Sequence, residues 1–221
     1  MRTLYLIIIC VSLWASPFAT AHAQIGDDGF SSMPLPDSVF TRIRGCSFPT
    51  MPDARLRRSD LRYLRVLHVN LDGQTCQGEL ICNKAIADDL LDIFRQLYEA
   101  RYPVQSIRLI DDFGADDERS MRANNTSCFC YRVVRGTSKP SKHALGMAVD
   151  LNPLYNPCVR TQRNGKRLVQ PSTATSYVNR HASFPCRIDR SDLAYRLFTE
   201  HGFRWGGAWR TTKDYQHFEK E

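Results

Sequence analysis

The chain has 221 residues, of which 43% are hydrophobic and 24% charged, and its formal net charge at pH 7 is +7. This length suits one domain with a substantial core and is short for two ordinary domains. The balance of residue types excludes a wholly disordered chain and one embedded in a membrane. The positive charge fits a solvated basic surface, anionic wall polymers or nucleic acid.

Residues 1–23 have the composition of a secretory signal peptide. Arg2 precedes an apolar run over residues 4–13, and small residues end at Ala23 in an A-x-A cleavage pattern. A membrane anchor is the alternative, but the apolar run is about half of the roughly 20 residues that span a bilayer. We therefore expect an exported protein, periplasmic or extracellular, with no stable membrane insertion after signal removal. Such a protein meets the cell wall rather than nucleic acid.

Seven cysteines remain after the predicted signal, which itself contains Cys10. Export makes disulfides possible, but an odd number allows at most three bridges, and their connectivity stays open. A cysteine-rich zinc site is the competing interpretation. Because the chain has no C-x-x-C pair, structural disulfides are favoured.

The first half of the chain predicts a lead-in, a hairpin and a helix. Residues 24–44 are rich in Gly, Ser, Pro and Asp without a sustained period, which predicts a flexible lead-in to a folded domain over residues 45–221. Residues 62–71 and 77–83 are β-prone runs separated by a turn and predict a hairpin. Residues 84–101 carry apolar side chains at helical spacing.

The second half mixes short strands with one further helix. Residues 153–187 are rich in Pro, Asn, Ser, Thr and Arg and predict a surface insertion, closed by a disulfide between Cys158 and Cys186. Together the elements predict a single α+β domain in which helices pack on a mainly antiparallel central sheet. The other predicted elements are a strand over 104–110, a polar loop over 111–127 with room for one helical turn, a strand over 128–134, a helix over 190–201 and a final strand within 203–219.

The segment that leads to Pro153 has the alternation of a strand with two different faces. From Met147 to Asn152, apolar side chains alternate with small or polar ones, so Asp150 is expected to point away from the core. Gly146 allows an unusual backbone conformation just before this strand. His143 can then fold back towards the same face as Asp150.

The C-terminal segment holds a second histidine, His217, and a nearby carboxylate, Asp214. Two imidazoles and one carboxylate would leave an open fourth position on zinc, as in catalytic rather than structural sites. Asp214 is then the candidate base for the attacking water, and we expect it in the bend before the last strand. Taken singly, a histidine is more often structural or solvated than a ligand. The aromatic run Trp205–Trp209 suits either a cleft wall or the core.

Two motifs resemble those of a known enzyme family. S-K-H-A-L-G-M-A-V-D, ending at Asp150, resembles the S-x-H-x-x-G-x-A-x-D signature of the zinc D-alanyl-D-alanine carboxypeptidase and dipeptidase family, the VanY and VanX type of LAS metallopeptidase. D-Y-Q-H-F-E, starting at Asp214, resembles its closing motif, and order and spacing match over roughly residues 60–221. The resemblance implies that His143, Asp150 and His217 bind one zinc ion. It also implies that Asp214 is the catalytic base, a position that many relatives fill with Glu.

The resemblance further implies an exported zinc metallopeptidase that hydrolyses D-amino-acid-containing cell-wall peptides. The expected activity is that of a D-Ala-D-Ala carboxypeptidase acting on peptidoglycan stem peptides. The oxyanion and the terminal carboxylate of the substrate need hydrogen-bond donors or a cation. Arg132, Asn125 and Ser127 are the candidates, with Ser141 as a support behind them. Ordinary loop hydrogen bonds explain these four residues equally well.

Two other functions remain open on the sequence alone. A peptidoglycan endopeptidase would carry the same motifs, because the depth of the cleft separates it from a carboxypeptidase. A non-catalytic wall-binding domain with a structural zinc is the alternative from another class. The presence of Asp214 together with all three implied ligands favours the enzyme. The oligomeric state stays open.

Overall fold

The computed structural model describes residues 28–50, 56–134, 139–162 and 164–221. The predicted signal peptide lies outside these ranges. Within them, no helix combines the length and the hydropathy needed to cross a membrane. The helices are α1 (Asp37–Ile43), α2 (Ala87–Glu99), α3 (Asp117–Arg122) and α4 (Leu193–Glu200). The strands are β1 (Ser31–Pro34), β2 (Leu61–Val69), β3 (Thr75–Asn83), β4 (Ser106–Ile107), β5 (Asn125–Thr126), β6 (Ala148–Asp150), β7 (Cys158–Thr161), β8 (Arg167–Gln170), β9 (Arg204–Trp205), β10 (Thr212–Asp214) and β11 (His217–Glu219).

The first strand and helix lie in the segment that the sequence predicts to be a flexible lead-in. β1 pairs antiparallel with β2, with Ser31 opposite Arg65. α1 buries the side chain of Ile43 completely. The structure therefore corrects the prediction for residues 24–44 from Ser31 onwards. Hydrogen bonds to a strand distant in sequence, rather than a local sequence period, order this segment.

The predicted hairpin and first helix are confirmed. β2 and β3 pair antiparallel from Leu61 opposite Asn83 to Val69 opposite Thr75. Asn83 then caps a short 3-10 turn that leads into α2, since its side chain accepts a hydrogen bond from the backbone N–H of Ala85. α2 turns an apolar face inwards, and its buried residues are Ala87, Leu90, Ile93, Phe94 and Leu97.

One hydrophobic core joins α2 and α4 to strands of three sheets. Phe198 of α4 is fully buried and stacks on Phe218 of β11, with ring centroids 4.3 Å apart. Burying a side chain of this kind stabilises the fold by roughly 1.5–3 kcal/mol. Because Phe218 lies between His217 and Glu219, this contact holds β11 against the helices. The side chains of His217 and Glu219 are thereby turned to the opposite face.

The last two three-stranded sheets carry the C-terminal half of the fold. One has the order β6-β11-β9 and the other β10-β7-β8, and both are antiparallel. β11 confirms the predicted final strand. β7 and β8 lie within residues 153–187, so the predicted surface insertion contributes a hairpin to the fold. β7 pairs with β10, which ends at Asp214.

The predicted disulfide across this hairpin region is not formed. All seven cysteines in the described ranges are free thiols. The Sγ of Cys186 lies 3.4 Å from the carbonyl oxygen of Pro103. Cys158 instead lies opposite Asp214 in the β7–β10 pair. The two thiols have different neighbours, which explains why the pairing of Cys158 with Cys186 is wrong.

The middle of the chain differs from its prediction in detail. Residues 128–134 form no strand and only one isolated bridge, between Val133 and Pro140. The strand predicted over 104–110 shrinks to β4, which pairs with β5 in parallel, and the predicted polar loop contains α3. The α+β class is confirmed. Within the described ranges, however, the strands divide among four small sheets, antiparallel apart from the β4–β5 pair, instead of forming one central sheet.

Candidate metal centre

The three predicted metal ligands converge in the structure. His217 lies directly opposite Asp150 in the β6–β11 pair, and facing residues of an antiparallel pair project to the same side of the sheet. His143 approaches from a 3-10 turn over His143–Leu145. The Nδ1 of His217 is 3.0 Å from Asp150 Oδ1 and 3.1 Å from His143 Nε2, which is itself 3.3 Å from Asp150 Oδ2. All three side chains are buried, and their geometry suits a metal ion.

The residues of the first motif hold His143 beside Asp150. The hydroxyl oxygen of Ser141 accepts a hydrogen bond from the backbone N–H of His143. Gly146 ends the turn with a φ of +67°, a left-handed conformation that glycine adopts without steric cost. A Cβ at this position would also lie 2.6 Å from the backbone nitrogen of Asn83. The spacing of serine, histidine and glycine in the motif therefore has a local physical cause.

Hydrogen bonds behind the two imidazoles decide which ring nitrogens carry protons. His143 Nδ1 lies 2.6 Å from the carbonyl oxygen of Cys128, which can only accept, so Nδ1 is the protonated nitrogen. His217 Nε2 lies 3.2 Å from Glu219 Oε2. The hydrogen bond from His217 lowers the pKa of Glu219, so this carboxylate is ionised and accepts at neutral pH. The nitrogens that face Asp150 are then left with lone pairs available to a metal.

The centre favours a positive charge between its three side chains. Burial would lower the pKa of His217, but hydrogen bonds to Asp150 and Glu219 raise it to about 10. Burial would raise the pKa of Asp150, yet the charges and hydrogen bonds of the two imidazoles hold it well below its usual range. A shared proton or a metal cation can supply the positive charge. Ligand atoms on a tetrahedral zinc lie about 3.3 Å from one another, so the observed separations fit zinc with one position left open.

Asp214, the predicted base, lies close to Asp150 and His217. The sequence predicts Asp214 in a bend, whereas the structure has it as the last residue of β10, with the bend at 215–216 after it. Its Oδ1 is buried and has no hydrogen-bond partner among the residues that the structure describes. Burial, followed by the negative charge of Asp150, raises the pKa of Asp214. A raised pKa makes the ionised carboxylate a better proton acceptor.

Two small residues allow Asp214 to lie close to His217. Cys158 faces Asp214 across the β7–β10 pair, and burial together with the nearby Asp214 carboxylate raises the pKa of its thiol. Gly206 packs beside both site residues. A Cβ on Gly206 would lie 2.9 Å from the Cβ of Asp214 and 3.2 Å from the Cβ of His217. A residue with a side chain at this position would therefore displace the candidate base or the candidate ligand.

Of two predicted substrate-binding residues, Ser127 lies beside Asp150, whereas Asn125 is buried within the fold. Ser127 exchanges backbone hydrogen bonds of 3.1 and 2.9 Å with Asp150, so its side chain projects from the same face of the sheet. Asn125 is fully buried, and its amide bonds to the backbone of Arg108 and to the hydroxyl of Ser120. Hydrogen bonds within the fold satisfy the side-chain amide of Asn125, so a structural role explains this residue without any contact to a substrate.

The other two candidates, Ser141 and Arg132, each contact a neighbouring residue. Ser141 orients the turn that carries His143, as described above. The Nε of Arg132 lies 2.5 Å from Asp117 Oδ2 in an ion pair. Burial raises the pKa of Asp117, while the charges of Arg132 and His143 oppose this, so the ion pair lies within electrostatic reach of the centre.

Several groups at the centre were not predicted from the sequence. Glu219 and the carbonyl of Cys128 orient the two imidazoles. The ring of Trp209 is partly exposed and lies 5.2 Å, centroid to centroid, from that of His217. Trp205 is buried in the core, so the aromatic run divides between cleft and core. Glu219 was detectable, because residues two apart on a strand share a face; the carbonyl of Cys128 had no sequence signal.

Comparison with known families agrees with this geometry. Residues 135–220 match the model of a family described as D-alanyl-D-alanine carboxypeptidase, in peptidase family M15. The match covers less than half of the chain and supports the family that the two motifs resemble. The matched stretch contains all three members of the metal centre and Asp214. The M15 peptidases are peptide-bond hydrolases and zinc enzymes, and the two histidines and the aspartate of this centre agree with such a site. No curated protein and no solved structure shows a significant match to the chain.

Proposed function

We propose that this protein is an exported zinc metallopeptidase that acts on D-amino-acid-containing cell-wall peptides as a D-Ala-D-Ala carboxypeptidase. His143, Asp150 and His217 hold one zinc ion, and Asp214 is the catalytic base. The observation that carries the proposal is the buried set of two imidazole nitrogens and a carboxylate, near an Asp214 oxygen that lacks a hydrogen-bond partner in the described chain. Export is proposed from the signal-like composition of residues 1–23.

The chemistry divides between the metal and Asp214. When bound, zinc supplies Lewis acidity towards the scissile carbonyl and makes a water molecule more acidic. Asp214 accepts a proton from the attacking water on its free oxygen, a step that its raised pKa favours. The protonated carboxyl then donates this proton to the leaving amine. Cys158, directly opposite Asp214, offers its thiol as a hydrogen-bond donor that would orient the carboxyl through both steps.

Groups around the centre are proposed to hold the rest of the peptide. Ser127 offers a hydroxyl on the face where the peptide would lie. Arg132 is the candidate for the terminal carboxylate of the substrate, with Asp117 holding its guanidinium in place. Trp209 forms a wall of the cleft beside His217. These contacts are typical of a site that recognises the end of a short peptide.

The test is release of D-alanine from a synthetic stem pentapeptide by the zinc-loaded protein. We compare the wild type with His217→Ala, which removes a ligand, and with Asp214→Asn, which removes the base at nearly constant shape. Asp72→Asn is the matched control, because Asp72 is exposed on the turn of the hairpin. Loss of a general base lowers the rate by about 100- to 10,000-fold.

The roles stand if the wild type and Asp72→Asn release D-alanine, Asp214→Asn keeps its zinc but loses activity, and His217→Ala loses both. Cleavage within the stem peptides of intact peptidoglycan, without D-alanine release, would assign the endopeptidase activity instead. A zinc-loaded wild type that is inert on both substrates would refute the peptidase and leave a non-catalytic wall-binding domain.

A further inference from the structure

A cavity lies on the face of the β7–β10 pair opposite to the Asp214 side chain. Its volume is about 720 Å³, which is within the range of ligand-binding pockets. Alternate residues of the β7–β10 pair line it, among them Val159 and Lys213, whereas Asp214 and Cys158 project to the other face. The cavity is therefore separate from the metal centre, although both use β10.

The lining of this cavity is strongly basic. It contains no carboxylate, and its basic side chains are Arg167, Arg180, His181, Arg210 and Lys213. In the part of the chain that the structure describes, none of the three arginines nor Lys213 lies within salt-bridge distance of an acidic group. Like charges that converge on a concave surface repel one another and raise the local concentration of anions.

Arg180 makes this positive charge a fixed part of the cavity. Its guanidinium donates hydrogen bonds to the carbonyl oxygens of Tyr155 and Ile188 and to the side chain of Asn156. It also lies over the ring of Tyr215, 4.4 Å from the centroid. Burial lowers the pKa of Arg180 to about 10, so the group remains charged at neutral pH. The protein thus holds a largely buried cation rigidly, with only neutral partners in hydrogen-bond contact.

Two cations of the cavity, Arg210 and Lys213, are sequence neighbours of residues in the proposed active site. Arg210 follows Trp209, whose ring contacts that of His217. Lys213 precedes Asp214, and its ammonium group donates to the carbonyl oxygen of Gly207. A polymer whose peptide reached the metal centre could pass over this short segment and place an acidic group in the cavity.

We propose that this cavity is a second binding site for peptidoglycan, which takes carboxylate groups of the same strand whose stem peptide is cleaved at the metal centre. The proposal rests on the proposed function for the identity of the polymer. Carboxylates of the stem peptides match the arginine-rich lining, because guanidinium groups bind planar anions with paired hydrogen bonds. A single short peptide would not need a site on the reverse face of the sheet, whereas a polymer repeats its acidic groups.

The test measures binding without hydrolysis, by co-sedimentation with insoluble peptidoglycan at low and high salt. The full chain carries Asp214→Asn throughout, so that the wall material stays intact. Arg167→Gln combined with Arg210→Gln removes two exposed charges from the cavity. Arg44→Gln combined with Arg196→Gln is the matched control, because it removes two exposed arginines that do not line the cavity.

We expect the cavity double variant to bind about tenfold more weakly at low salt and the control double variant to change less than about twofold. Amidation of the carboxyl groups of peptidoglycan should weaken its binding to the protein with an intact cavity. The loss should equal the loss that the cavity double variant shows with native peptidoglycan. Equal losses in both double variants, or none in either, would overturn the proposal. So would equal or tighter binding of a single-stranded nucleic acid of the same charge, since this would assign the cavity to phosphodiesters.

The outcome is separable from that of the proposed function. If the wild type releases no D-alanine while only the cavity variant loses wall binding, the peptidase fails and the second site stands. If D-alanine is released normally and the two double variants bind the wall alike, the second site fails and the peptidase stands.

Discussion

Glu219 offers a direct test of how the metal centre is organised. Its carboxylate accepts a hydrogen bond from His217 Nε2 at 3.2 Å, and its side chain is only 16% exposed. A hydrogen bond to a charged group contributes about 1.5–3 kcal/mol. Replacing Glu219 by Ala leaves the outward nitrogen of His217 without this acceptor, so the ring loses both its orientation and its fixed tautomer. We expect zinc affinity to fall about 10- to 100-fold, or roughly 1.4–2.7 kcal/mol.

The measurement is a zinc competition with a chromophoric chelator on Glu219→Ala, Glu219→Gln and a control. Glu219→Gln keeps an accepting oxygen but loses the charge, so it should retain more affinity than Glu219→Ala. Glu221→Ala is the control, because Glu221 pairs with the same Arg204 without touching His217. Zinc affinity within about twofold of wild type in Glu219→Ala, or an equal fall in Glu221→Ala, would refute the assigned role.

Three further predictions concern the small residues around the centre. Gly206→Ala should lower kcat/KM by at least about 100-fold, because the added Cβ displaces Asp214, and an unchanged value would contradict the close packing. Cys158→Ala should lower kcat several-fold with zinc content unchanged, whereas Cys158→Ser should restore it as a hydrogen-bond donor; equal effects would exclude the thiol contact. Gly146→Ala should destabilise the fold by about 2–4 kcal/mol in thermal or urea unfolding. Gly165→Ala is its control, since Gly165 shares the positive φ but has open space around it, and should cost only about 1 kcal/mol.

Local residue patterns predicted the helices and strands whose formation depends mainly on their own residues. Alternation over residues 62–83 and helical spacing over 84–101 were sufficient for the hairpin and the first helix, which appear as β2, β3 and α2. Residues 24–44 lack such a pattern, and β1 forms there because the edge of β2 supplies hydrogen bonds. A single sequence does not show which distant edge a short strand will find.

The same limit explains the errors in and around the site. Asn125 is a residue type that often binds substrates, yet its side-chain amide forms hydrogen bonds with Arg108 and Ser120. Cys158 has the position of a disulfide cysteine at the border of an insertion, yet β7 pairs with β10 and sets the thiol against Asp214. Each of these outcomes depends on at least one partner in another element of the fold.

The sequence by itself determined the chemistry that this protein has available. It contains two histidines and two aspartates in motifs whose spacing resembles that of a peptidase family, and a glycine at position 146 that permits an unusual backbone conformation. Only the tertiary structure decided how these groups meet. β6 and β11 are 67 residues apart, and their pairing sets Asp150 opposite His217. The tertiary structure also pairs β7 and β8, which lie in the predicted insertion, with β10. The resulting sheet has Asp214 on one face and the basic cavity on the other. The physical reason is that strand pairing is made by backbone hydrogen bonds, which every residue except proline can both donate and accept, so side-chain sequence alone does not specify the partner.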